Sequence, residues 1–292
     1  VNVSLCTVSF RHQLVSFAEL IGFAQRHGFD GIELWGAHAR QLQDGNREQN
    51  GEQLDILRQS GLVISMLSDY IDIGVRPLET VLEKTDRLLD CARTLDVAKL
   101  RIFAGGRPSV SVSADERALY IRGLRAVCER AEAAGAHILV ETHPNTLADG
   151  LASTLRLLEE VDHEALAINL DFLHVWEAGD DPVAAYHELE HKVRHFHLKN
   201  IATAAQLDVF QPHNVFSASG SREGMVRLAD GALDYRAVLA AAGSSRHFAS
   251  LEWFGADPFR VLADEIGWLR KTLSATAAAA GAGPLPAPAG TL

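Results

Sequence analysis

Short apolar runs alternate with amphipathic stretches from one end of the chain to the other. Strand-like runs fall at 3–9, 31–35, 62–68, 99–104, 137–142, 165–171, 193–200 and 248–253. Between them, apolar residues recur at helical spacing over 16–27, 48–60, 78–95, 114–134, 151–161, 182–190 and 235–241, and a last helix, 258–273, follows the eighth strand. Eight strand–helix units in strict alternation predict an α/β fold, a single (β/α)8 TIM barrel over 1–273. The connection at 201–234 is longer than an ordinary βα loop, and loops of that length usually serve function. Residues 274–292 are rich in Ala, Gly and Pro and have little to bury, which predicts a disordered tail.

Composition narrows the class. The chain has 292 residues, 47% hydrophobic and 22% charged, with a formal net charge of -11, as expected of a soluble globular enzyme. An acidic balance argues against a nucleic-acid partner, which would favour a basic face, and still allows a small anionic substrate held by a few local cations. Three cysteines, Cys6, Cys91 and Cys128, match no zinc or redox spacing; reduced thiols in a cytoplasmic protein are expected. No apolar run reaches the length of a membrane span, and the N-terminus lacks the pattern of a signal peptide.

The chemistry-bearing residues collect at strand ends. Glu141 closes strand five, Asp171 strand six, His197 strand seven and Glu252 strand eight. In a barrel these ends form one face, where active sites are built. One acid at a strand end is usually a helix cap or a solvated loop residue, but four such side chains at one mouth would repel without a cation. Three carboxylates and one imidazole suit a single hard or borderline divalent ion, Mn2+ or Mg2+, with Co2+ expected to substitute in vitro. Strand alternation brings His143 to the same interior as Glu141, and Lys199 to that of His197. Arg101 lies within strand four, and His174 follows Asp171 by about one helical turn. Each has a plainer reading: a hydrogen-bonded core histidine for His143, salt-bridge partners for Arg101 and Lys199. Glu33, at strand two, is either a further pocket acid or the partner of an arginine.

These residues carry a family resemblance. The ligand set with Glu-Thr-His-Pro-Asn (141–145) and Asp-Phe-Leu-His (171–174) resembles the xylose isomerase-like superfamily of sugar-phosphate isomerases and epimerases. The runs at 4–14, 31–36, 195–200 (His-Phe-His-Leu-Lys-Asn) and 250–255 (Ser-Leu-Glu-Trp-Phe-Gly) resemble, more closely, the 3-dehydroshikimate dehydratases of petrobactin siderophore biosynthesis. The resemblance implies a divalent ion on Glu141, Asp171, His197 and Glu252, His143 as general base, and Arg101 and Lys199 as substrate contacts. It also implies a pocket cover in the long loop, where Asn214 and Arg222 join His174 as substrate-binding candidates. The implied reaction removes water from 3-dehydroshikimate to give protocatechuate, whether for siderophore supply or quinate catabolism.

Three alternatives stay open at this point. A sugar or ketose isomerase/epimerase would use the same metal barrel without a leaving group. An apurinic-site endonuclease would want several metals and a basic face, and a non-catalytic barrel would have no use for an intact ligand set. The expected partner is a small-molecule carboxylate, with no nucleic acid or membrane, and a homo-oligomer remains an option.

Overall fold

The computed structural model describes residues 1–44 and 47–281. Its centre is a closed eight-stranded parallel barrel with helices outside it. The barrel strands are β1 (Asn2–Cys6), β2 (Gly31–Trp35), β3 (Val63–Ser68), β4 (Lys99–Ile102), β5 (His137–Glu141), β6 (Leu166–Asp171), β7 (Val193–Leu198) and β8 (Phe248–Leu251). They pair in sequence order, and β8 closes on β1 through Asn2 opposite Phe248 and Leu5 opposite Leu251. The expected TIM barrel is the observed fold.

The strands are short apolar runs because both faces are covered, one by helices and one by the barrel interior. Outward side chains such as Val3, Ile32, Leu34, Ile138 and Val140 are fully buried against the helices. The inward set is unusually polar, with Ser4, Glu33, Ser68, Arg101, Asn169, His195, His197 and Ser250 all buried. Two helices begin with reciprocal Ser–Glu capping boxes, Ser16 with Glu19 and Ser113 with Glu116, which satisfy amides that helix starts leave unpaired. All three cysteines are free and buried, Cys91 and Cys128 in helix faces that meet the core.

Several expectations are adjusted. Helices at Gly36–Asp44 and Phe172–Glu177 were not legible as separate elements. The run expected at 3–9 leaves the strand at Cys6 and turns through a 3-10 helix, Thr7–Phe10. The long connection has structure of its own: a 3-10 segment, Ala204–Phe210, a short helix, Pro212–Val215, and an antiparallel pairing of Asn200–Ile201 with Met225–Val226. The last helix runs Pro258–Gly281, so residues 274–281, expected in a disordered tail, continue it. Alanine has the highest helix propensity, and the Ala run extends a helix already nucleated by packing. The rest of the expected tail, 282–292, lies outside the described residues. Among the described residues, no helix is long and apolar enough to cross a membrane.

Candidate active site and metal centre

The C-terminal ends of β4 to β8 bring the expected side chains together. Register sets this up: Asp171 stands opposite His197, His197 opposite Ser250, and Glu141 opposite Asn169. Glu252 follows β8 directly, with its amide bonded to the carbonyl of Leu198. Around Nδ1 of His197 lie Oε1 of Glu141 at 3.3 Å, Oε2 of Glu252 at 3.5 Å and Oδ2 of Asp171 at 3.9 Å. The four residues named as metal ligands therefore converge on one point. Ligand atoms of Asp171, His197 and Glu252 fall within 4.8 Å of one another, as do those of Glu141, Asp171 and His174.

Local structure fixes these groups. Asp171 ends β6 and caps the helix Phe172–Glu177: its Oδ1 accepts the amides of Leu173 and His174 at 3.0 and 3.3 Å. That leaves Oδ2 facing the centre. Lys199, one residue past β7, donates to Asp171 and, at 2.8 Å, to Oε2 of Glu252. Arg101 enters from β4 with Nε 3.0 Å from Oε2 of Glu141. The two atoms are close but not aligned for a hydrogen bond, and Nη1 of Arg101 is buried without a partner. Its guanidinium lies 5.3 Å from the Tyr70 ring centroid and 4.9 Å from that of Phe103, a packing that suits a planar cation.

Burial would raise the carboxyls and lower the bases, but mutual charge wins. Buried Glu141 is nevertheless held well below the usual carboxylate range by His197 and Arg101. Buried Lys199 is held well above its ordinary value by Asp171 and Glu252, and His197 is likewise raised by Glu252 and Glu33. All point to the same physical fact: this cluster of acids calls for positive charge. With His197 neutral, as a metal ligand must be, Glu33, Glu141, Asp171 and Glu252 bring four carboxylates against two permanent cations, Arg101 and Lys199, so two negative charges are left for a divalent ion to balance. The donor set, mostly oxygen with one imidazole, fits such an ion.

The imidazole of His143 lies just beyond β5, where the strand has already ended, yet it lines the same pocket as Glu141. Its Nδ1 is 2.8 Å from the carbonyl oxygen of Pro144. A carbonyl only accepts, so Nδ1 carries the proton and Nε2 keeps its lone pair. The ring packs 4.4 Å from Phe103 and 4.4 Å from His174. Burial, then the neighbouring His174, push its pKa down to about 3, which keeps it neutral at pH 7. His174 is itself anchored by Nδ1 at 2.7 Å from Oε2 of Glu177.

Asn214 and Arg222 do not line this pocket. Asn214 donates to Asp208 and accepts the amide of Ser221, while Arg222 donates to the carbonyls of Asn214 and Ser217, each at 2.7 Å. These contacts brace the loop. The loop does reach the pocket, through Phe210, Val215 and Phe216. Arg11 ties it down by donating to the carbonyls of Val215 and Phe254, and Phe216 stacks 5.8 Å from Trp35. The aromatic wall of Tyr70, Phe103, Phe210, Phe216 and Phe254 was not singled out from the sequence, since nothing local marks a loop aromatic as pocket-facing. His195 was legible in principle, because it alternates with His197 on β7. Glu33 pairs with His197, His195 and Ser68 rather than with an arginine.

Residues 21–272 match the family model of the xylose isomerase-like TIM barrel. The chain belongs to that family. It is 46% identical over 264 residues to the 3-dehydroshikimate dehydratase of Bacillus anthracis, covering 90% of this chain and 94% of that one. The crystal structure of the probable 3-DHS dehydratase AsbF, involved in petrobactin synthesis in the same organism, superposes with a TM-score of 0.91 at 45% identity, over 92% of this chain and 99% of that chain. The resemblance carried by the strand-end motifs is thereby borne out. A more distant family member from Mycobacterium smegmatis, solved in complex with magnesium, shares the fold with a TM-score of 0.66 at 18% identity, over 94% of this chain and 97% of that one.

Proposed function

We propose that the protein is a divalent-metal-dependent hydro-lyase that converts 3-dehydroshikimate to protocatechuate and water. The observation that carries this reading is the convergence of Glu141, Asp171 and Glu252 on Nδ1 of His197, in a chain 46% identical to a 3-dehydroshikimate dehydratase. Those four residues would hold the ion, Mn2+ or Mg2+, with Co2+ as a substitute in vitro. When bound, such an ion would supply Lewis-acid stabilisation of the negative charge that develops on the substrate's C3 oxygen.

The chain's own residues do the rest. Arg101, with its unpartnered Nη1, takes the C1 carboxylate, for which a guanidinium is the matching donor. The aromatic wall receives the six-membered ring and excludes water. His143, neutral and with its Nε2 lone pair free, removes the proton from C4. The C4–H electron pair flows toward the C3 carbonyl, then expels the C5 hydroxyl, which leaves as water on receiving the proton from His143. Loss of a C6 proton and protonation of the C3 oxygen complete the aromatic ring. Lys199 places positive charge beside Asp171 and Glu252, and His174 backs the base through ring contact.

Turnover tests the proposal. Purified protein with Mn2+ should generate the ultraviolet absorbance of a catechol from 3-dehydroshikimate and leave ketoses unrearranged. Rearrangement of a ketose with no catechol formed from 3-dehydroshikimate would contradict it.

A further inference from the structure

The far side of the His197 ring is as specific as the near side. Its Nε2 lies 3.1 and 3.0 Å from the two carboxylate oxygens of Glu33, a residue with no solvent exposure. Glu33 cannot reach the ion site itself, because the imidazole stands between it and Glu141, Asp171 and Glu252. Its other contacts hold it in place: Ser68 donates its hydroxyl to Oε1, and Nε2 of His195 lies 3.5 Å from Oε2. His195 is in turn fixed by Ser250 at 2.7 Å. The β2–β3 pairing shifts register between Ile32 and Glu33. Such irregularities re-aim a side chain beside a functional site.

Resting on the reading of this site as a metal centre, we infer that Glu33 is a positioning residue that sets the tautomer and angle of His197. A neutral imidazole has one N–H and one lone pair. Glu33 is a pure acceptor on the Nε2 side, so the proton sits on Nε2 and the lone pair on Nδ1 is aimed at the ion. Carboxylate–histidine–metal arrangements of this kind fix the ring and raise its basicity as a ligand.

The test is Mn2+ affinity, read from the electron paramagnetic resonance signal of free Mn2+ in titrations of wild type, Glu33→Ala and Glu33→Gln. Glu33→Ala should bind about 10- to 100-fold more weakly. Glu33→Gln keeps an acceptor for the Nε2 proton and should lie nearer wild type than Glu33→Ala does. Loss in Glu33→Gln equal to that in Glu33→Ala overturns the inference, as does wild-type affinity in Glu33→Ala. A wild-type protein that binds no Mn2+ overturns the metal reading as well. Nitrogen-15 and proton spectra of Mg2+-loaded wild type and Glu33→Gln give a second readout if Glu33→Ala fails to fold. With His197 assigned by its loss in His197→Asn, its Nε2 proton should resonate further downfield in wild type, where it meets a carboxylate, than in Glu33→Gln, and an unchanged resonance contradicts the proposal.

Discussion

Replacing Lys199 by Met tests whether the acids of this site depend on positive charge. The lysine is 5% exposed, and its ammonium bridges Asp171 and Glu252. Methionine keeps most of the volume and the packing against Phe210 and Phe254, whose ring centroids each lie 5.7 Å from the ammonium. What is lost is one buried cation, leaving four carboxylates beside Arg101 and His197. Removing one partner of a buried pair costs about 3–5 kcal/mol, which in a chain of 292 residues lowers Tm by roughly 5–8 °C. The assay is calorimetry of wild type and Lys199→Met, each with chelator and with excess Mn2+. With chelator the full gap should appear. With Mn2+ it should shrink by more than half, because the ion binds the same oxygens and favours the folded state by mass action. A Lys199→Met protein that melts within about 2 °C of wild type in chelator, or a gap that Mn2+ leaves unchanged, would refute the reasoning.

Other predictions follow from the same geometry. His143→Asn should keep its Mn2+ affinity and thermal stability while turnover falls by about two to four orders of magnitude; single-turnover kinetics and metal titration separate this from a structural role, in which metal affinity would fall instead. Arg101→Ala should chiefly raise KM for 3-dehydroshikimate and erase the preference for the free acid over its methyl ester, measured by steady-state kinetics with both substrates. Glu265 is buried beside the long loop, where its Oε2 accepts the amide of Leu228 at 3.0 Å. Burial raises its pKa from the ordinary 4.5 to about 7. The folded state therefore holds this proton more tightly than the unfolded chain. Its contribution, about 3 kcal/mol at most, is complete below pH 4.5 and lost as pH rises to about 7. Glu265→Gln keeps the acceptor and should be flatter than wild type over that window in melts at stepped pH; parallel profiles would contradict the assignment.

The legibility of this protein in its sequence divides along physical lines. Strands and most helices were readable because burial imposes period: Leu88, Leu89, Cys91 and Ala92 mark one face of a long helix, and the buried β5 run is apolar up to Glu141. Polar residues at strand ends were readable for the complementary reason, since a charge that interrupts an apolar run needs an explanation. Glu33 met that criterion, but its partner did not follow from position, because a register shift at that residue sets its aim. The helix Phe172–Glu177 is under two turns long and owes its start to the Asp171 cap, so periodicity had too few residues to act on. The loop contacts of Asn214 and Arg222 were hidden by the same limit in another form. Their partners, Asp208, Ser217 and Ser221, are nearby in sequence, but which polar groups a loop spends on itself depends on how it turns.

The most direct measurement of the central claim is a metal titration of turnover. The protein is stripped with chelator, verified metal-free by elemental analysis, and given 3-dehydroshikimate while Mn2+ is added in steps. The expected result is no catechol absorbance without metal, and a rise that saturates at one ion per chain. Glu141→Gln and Glu252→Gln should show little turnover at any Mn2+ concentration. Full turnover by the verified metal-free protein would contradict the claim that Glu141, Asp171, His197 and Glu252 form a catalytic metal centre.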